Sequence, residues 1–192
     1  MRTFVKSGPN PLGEAAGLRW LAEAEDGGGA HSARVVAVDE RRLEIEYVQQ
    51  ARPSVGLARA FGRALAHTHA TGAPWWGCPP AGWAGPAWVG NSRTPLLLDA
   101  TAAPASWGEF YAACRIEPFA RRLRDRETIG ARETAIFARL SERLASGDLT
   151  SPQPQAVRQS GHEVARVHGD MWAGNVLYDG SATGATLIDP MA

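Results

Sequence analysis

Three residues near the end of the chain restrict its fold more than any other feature. Asp170 is followed five positions later by Asn175, and Asp189 comes fourteen positions after that. The first two lie in His168-Gly-Asp-Met-Trp-Ala-Gly-Asn175 and the third in Ile188-Asp-Pro190. Between them, Asn175-Val-Leu-Tyr178 and Ala185-Thr-Leu-Ile-Asp189 flank a turn-forming Asp179-Gly-Ser-Ala-Thr-Gly184, so the spacing predicts two short strands that bring Asn175 and Asp189 together. The order is that of a phosphoryl-transfer site. One carboxylate orients an acceptor hydroxyl and takes its proton, while an amide oxygen and a second carboxylate hold magnesium on the phosphates of ATP. Asp170 fits the first role, and Asn175 and Asp189 the metal roles. An Asp-to-Asn spacing alone is weak, because both are ordinary turn residues; the hairpin and the upstream elements supply the specificity. His168 is expected to be a scaffold residue of the loop.

The upstream chain begins with a β-like run ending at Val5-Lys6, a Gly/Pro/Asn-rich turn through Gly13, and a helix from Glu14. Ala15, Leu18, Leu21 and Ala22 share one face of that helix, and Gly27-Gly28-Gly29 ends it. In a kinase small lobe a strand lysine grips the phosphates and a helix glutamate keeps it aimed; Lys6 and Glu14 are the candidates. The alternative is a surface lysine and a first-turn glutamate favoured by the helix dipole. Arg34–Val38 and Leu43–Val48 read as a hairpin about Asp39-Glu-Arg-Arg42, with Leu43, Ile45 and Tyr47 on the buried face. The segment after it is the expected crossing between lobes, and backbone groups about Glu46 and Val48 are the candidates to receive adenine.

A core-facing helix is predicted over 56–69, with Leu57, Phe61, Ala64 and Leu65 on one stripe. His67 and His69 do not form a chelate on it, since a two-residue offset turns them about 200° apart. Residues 72–95 are rich in Pro, Gly and Trp and read as a long loop without regular elements, whose tryptophans either hold it to the core or offer aromatic faces to a sugar ring. A helix starts after Ser106 with Trp107, Phe110, Tyr111 and Cys114 on one face and is interrupted at Pro118. Another spans 131–145 with Ile136, Phe137, Leu140 and Leu144 inward. The Ser151-Pro-Gln-Pro-Gln stretch is linker-like.

Charge narrows the partners. Lys and Arg number 20 and Asp and Glu 20, so no net field favours nucleic acid or an anionic membrane. No apolar run approaches the roughly 20 residues of a membrane span, and no signal-peptide pattern opens the chain. Cys78 and Cys114 make no disulfide framework, which is consistent with a reducing cytoplasm.

With these residues in view, the chain resembles the fructosamine kinase (ketosamine-3-kinase) family, a branch of the protein-kinase-like fold near the aminoglycoside and choline kinases. His168 to Asn175 is similar to the family's His-Gly-Asp-Leu-Trp-x-Gly-Asn loop, with Met171 at the leucine position. Glu14-Ala-Ala-Gly-Leu-Arg-Trp-Leu21 resembles the helix after its strand lysine, and Leu65-Ala-His-Thr-His69 its first large-lobe helix. Gly90-Asn91 and Trp107 to Pro118 resemble its substrate-side segment.

The resemblance implies an α+β two-lobe fold, with an ATP-binding lobe over 1–48 and a catalytic lobe over 49–192. It also implies transfer of the γ-phosphate of ATP, with magnesium, to the 3-hydroxyl of a small-molecule or protein-bound ketosamine. Asp170 would be the base, Asn175 and Asp189 the magnesium ligands, and Lys6 with Glu14 the phosphate-orienting pair. Trp172 would be a wall for the sugar or a packing residue of the loop. An aminoglycoside or other small hydroxyl acceptor, and a catalytically impaired fragment, are the competing readings. Against the family pattern, the small lobe is expected to lack its Gly-rich hairpin and the large lobe its C-terminal helices. The apolar faces of the helices at 57–69 and 131–145 would then be open to self-association.

Overall fold

A computed structural model describes residues 2–90 and 92–191, in an α+β arrangement of two compact units. The first unit comprises Met1–Ala73, Pro79–Arg93 and Gln153–Ala192, and the second Pro74–Cys78 and Thr94–Pro152. The lobe boundary expected between residues 48 and 49 lies inside the first unit.

In the first unit, strand β1 (Thr3–Lys6) leads into helix α1 (Pro11–Ala22). The helix starts three residues before the expected Glu14. Asn10 is its N-cap, its side chain accepting from the Gly13 N–H at 3.2 Å, and Pro11 occupies the first turn, where its missing N–H is no loss. The expected buried face is present: Ala15, Leu18 and Leu21 are all buried. A 3₁₀ turn at Glu25–Gly27 follows, then β2 (His31–Ser32), β3 (Val35–Val38) and β4 (Leu43–Glu46). One sheet has the order β1-β4-β3, with antiparallel pairing throughout. Leu43 and Ile45 face the core, but Tyr47 lies past the end of β4 and is exposed, its ring covered by the Arg2 guanidinium at 3.7 Å. The Tyr47 N–H still donates to the Arg2 carbonyl, but alternation buries a side chain only where a core lies beneath it, and here the ring meets Arg2 instead.

Helix α2 (Val55–Ala70) is capped by Ser54 and buries Phe61 and Ala64. The loop that follows is not wholly irregular, since β5 (Ala87–Val89) and β6 (Ser92–Thr94) pair in a two-stranded ribbon. Asn91, placed by the sequence in the substrate-side segment, lies outside the described residues. Within the loop, the Trp83 indole N–H donates to the Pro86 carbonyl at 3.3 Å, a bond local to the loop.

The first unit is completed by α6 (Gln155–Gln159) and the antiparallel hairpin β7 (Val176–Tyr178) and β8 (Ala185–Leu187). The second sheet has the order β2-β8-β7, and the parallel pairing of β2 with β8 is invisible to local pattern. β8 is the middle strand and wholly buried. Its alternation links two cores: Leu187 packs with Ala30, Phe61 and Ala64, while Ile188 packs against Ala15, Leu18 and Leu43. Asp189 therefore leaves a strand clamped on both faces.

The second unit holds α3 (Trp107–Tyr111), α4 (Glu117–Asp125) and α5 (Ala131–Ala145), with a π-helical turn at Ala112–Ile116 between the first two. Pro118 does not interrupt the run. It falls in the first turn of α4, and the wider π turn before it absorbs the missing donor and the ring clash with the preceding turn. Phe110 and Cys114 of the expected face are buried, with Gly108 and Ala112, whereas Tyr111 is exposed and stacked on Trp107 with centroids 5.0 Å apart. α5 buries Leu144 and Ser141, whereas Ile136, expected inward, is exposed. Trp75 donates to the Leu97 carbonyl at 2.8 Å and fastens the loop of this unit.

Candidate active site

The end of β1 presents Lys6 and the first turn of α1 presents Glu14. Lys6 Nζ lies 3.0 Å from Glu14 Oε1 and also contacts Asp189 Oδ1, so one ammonium joins the small-lobe pair to the carboxylate after β8. Burial raises the Glu14 carboxyl above its ordinary value, and the adjacent Lys6 charge opposes that rise. Gly13 serves this turn directly, because a Cβ there would stand 2.0 Å from the Asn10 side chain that caps the helix.

Asp189 has φ 57°, in the left-handed region that few residues other than Gly, Asn and Asp enter. A conformation of this kind persists where the surroundings hold it. Here Ile188 is held from both sides. Its N–H donates to the Asn175 carbonyl at 3.1 Å, and its carbonyl accepts from His168 Nε2 at 2.8 Å. The other ring nitrogen, Nδ1, accepts the Asp170 N–H at 3.3 Å. With one nitrogen donating and the other accepting, His168 is a neutral imidazole, and burial lowers its pKa accordingly. One ring thus joins the Asp170 backbone to the residue before Asp189, as a scaffold role predicts.

Asn175 is buried and its amide orients the same two aspartates. Nδ2 donates to the Asp170 carbonyl at 2.8 Å and lies 3.3 Å from Asp170 Oδ2 and 3.4 Å from the Asp189 carbonyl. Three acceptors on one side fix the amide flip, leaving Asn175 Oδ1 with no hydrogen bond among the described residues. Trp172 is 63% exposed, and its indole folds over Gly174, where a Cβ would come within 2.4 Å of the ring.

Lys6, Glu14, Asp170, Trp172, Asn175 and Asp189 all line one cavity of about 320 Å³. Trp88 of the β5–β6 ribbon lines it too, a contribution the sequence reading did not assign. Glu46 and Val48 do not line it. The Glu46 carboxylate is taken up by His31 Nε2 at 2.6 Å and by the N–H and guanidinium of Arg34, and its backbone N–H donates to the Arg34 carbonyl. The Val48 N–H has no partner among the described residues. Among the described residues no three His, Cys, Asp or Glu side chains form a metal cluster, and no helix is long and apolar enough to cross a membrane.

Two residues that tie distant segments of this unit together are not assigned a role by the sequence pattern. Arg166 is a buried arginine in the otherwise apolar Val164–Val167 run, and that placement was the available signal. His31 carries a carboxylate on each ring nitrogen, Glu25 at 2.9 Å and Glu46 at 2.6 Å, and no local pattern announces it.

The fructosamine kinase family profile matches residues 12–192. The chain belongs to the fructosamine kinase family. Two solved structures, each described as a "putative fructosamine-3-kinase", share the architecture of this family member. The protein from Thermobifida fusca YX-ER1 is 30% identical, with a TM-score of 0.76 over 99% of this chain and 60% of its own. The protein from Haemophilus somnus 129PT is 16% identical, with a TM-score of 0.71 over 98% of this chain and 57% of its own, a likeness of fold alone. The chain therefore spans about three-fifths of the length of these relatives. No curated protein sequence matches it. Its α+β arrangement is the protein-kinase-like fold of the fructosamine kinases.

Proposed function

We propose that this chain carries the catalytic machinery of an ATP-dependent kinase acting on the 3-hydroxyl of a sugar joined to an amine as a ketosamine. The observation that supports it most is the convergence of Lys6, Glu14 and Asp189 with Asp170 and Asn175 around one cavity.

The Asp170 carboxylate orients the acceptor hydroxyl and takes its proton as the oxygen attacks the γ-phosphorus. The bond from that phosphorus to the β–γ bridging oxygen breaks, and ADP leaves. Asn175 tethers Asp170 through Nδ2, so the base is aimed before substrate arrives. Lys6, held by Glu14, supplies positive charge to the phosphates, and the open Val48 N–H is the backbone donor for adenine.

The donor set also fits magnesium, which prefers oxygen ligands and takes one or two from the protein. The free Asn175 Oδ1 and the Asp189 carboxylate are those oxygens. When bound there, magnesium neutralises charge on the phosphates during transfer. Trp172, exposed beside Asp170, gives the sugar an aromatic face, and the family membership supports the ketosamine as acceptor. Cys78 and Cys114, thiols rather than a disulfide, suit a reducing cytoplasm.

The test is magnesium-dependent ATP turnover by the 192-residue chain with a fructosamine or ribulosamine acceptor, beside a panel of aminoglycosides. Turnover with the ketosamine, lowered about 10²–10⁴-fold in Asp170→Asn with Mg-ATP still bound, is expected. Activity that survives Asp170→Asn overturns the role of the base, and turnover confined to aminoglycosides overturns the acceptor.

A further inference from the structure

Helix α1 carries Glu14 at its N-terminal end, so whatever fixes the far end of that helix also fixes the aim of Lys6. The last carbonyls of a helix have no partner within it and favour a cation. Here the cation comes from a distant part of the chain. Arg166 Nη1 donates to the Trp20 carbonyl at 2.6 Å and to Glu23 Oε2 at 2.9 Å, and its guanidinium lies 4.5 Å from the Trp20 ring centroid. Its Nε donates to the Gly72 carbonyl at 3.1 Å, and its backbone N–H to the His69 carbonyl at 3.2 Å. One buried side chain therefore ties the end of α1 to the turn after α2. It stands two residues before His168, which links the Asp170 N–H to the Ile188 carbonyl.

We infer that Arg166 is a positioning residue that couples the catalytic loop to the Lys6–Glu14 pair by gripping the C-terminal end of α1. This rests on the phosphotransferase reading for its consequence, not for its geometry. Glu14 and Trp20 are six residues apart, about 9 Å along the helix axis. A helix over that distance transmits a tilt at one end as a displacement at the other, and among the described residues Lys6 is the ion-pair partner of the Glu14 side chain. Glu23 is the dispensable partner, being half-exposed, whereas the Trp20 and Gly72 carbonyls face the guanidinium from two directions that a single ammonium does not span.

The experiment compares Arg166→Lys, Arg166→Met and Glu23→Gln in the full chain by Mg-ATP calorimetry, by steady-state kinetics, and by hydrogen exchange of α1 without nucleotide. Arg166→Met is expected to weaken Mg-ATP binding about tenfold and raise KM for ATP with it, leaving KM for the acceptor within about twofold. Arg166→Lys is expected to fall between wild type and Arg166→Met, and to speed exchange at the amides of residues 14–18. Glu23→Gln is expected to match wild type. If Arg166→Met does not fold, Arg166→Lys carries the same comparison. Unchanged exchange and unchanged Mg-ATP affinity in Arg166→Lys overturn the inference, as does an equal rise of both KM values. A wild-type chain that binds no Mg-ATP overturns the phosphotransferase reading instead, and the exchange data then still decide the coupling.

Discussion

Replacing His168 tests whether the loop from His168 to Asn175 is held by a neutral imidazole. A glutamine places its amide nitrogen near the position of Nε2 and keeps the bond to the Ile188 carbonyl. An asparagine places its amide oxygen near Nδ1 and keeps the bond from the Asp170 N–H. The two bonds are not equivalent. Asp170 is exposed, so water replaces its lost partner, and the net loss is about 0.5–1.5 kcal/mol. The Ile188 carbonyl belongs to a half-buried residue packed on the Ala15, Leu18 and Leu43 core, and leaving it unpaired costs about 1–3 kcal/mol. His168→Gln is thus the milder change. At about 2–4 °C per kcal/mol for a chain of this size, His168→Gln is expected to lower Tm by a few degrees and His168→Asn by more. Thermal denaturation followed by circular dichroism measures both.

The pH dependence sharpens the test. Burial holds the folded His168 pKa below the ordinary value, so the unfolded chain binds the extra proton first. Wild-type stability is then lost as pH falls below about 6.5, the unfolded value, and the gap between wild type and His168→Gln narrows over that range. Equal Tm values for the two variants, or a gap that does not change between pH 7 and 5, refute the neutral bridge.

His31 behaves with the opposite sign. Burial alone would lower its pKa, but Glu25 and Glu46, one on each ring nitrogen, outweigh it and raise it, with Arg34 and Asp179 the other charged groups nearby. Its contribution is present in full below about 6.5 and is lost as pH rises through the raised folded value. His31→Gln is therefore expected to destabilise the protein at pH 6 and to approach wild type at alkaline pH, as read by urea midpoints. Gly169 has φ 84°, and a Cβ there would stand 2.9 Å from Met191 Cβ. Gly169→Ala should lower stability by about 1–3 kcal/mol, visible as a shifted urea midpoint with an unchanged slope.

What the amino-acid order determined on its own was local. The periodicity of Ala15, Leu18 and Leu21, the stripe through Phe61 and Ala64, the hairpin of β7 and β8, and the span of α5 all follow from neighbours within a few residues. So does the spacing of Asp170, Asn175 and Asp189, because a tight loop and a hairpin fix their separation. Local rules missed where an element met something distant or left its support. Tyr47 ran past its strand, Ile136 faced away from its core, and the chain absorbed Pro118 in a π turn. Tertiary structure alone decided the parallel joining of β2 to β8, the contact of Lys6 with Asp189, and the grip of Arg166 on α1. These contacts join residues far apart in the chain, and their geometry exists only once packing has brought the segments together.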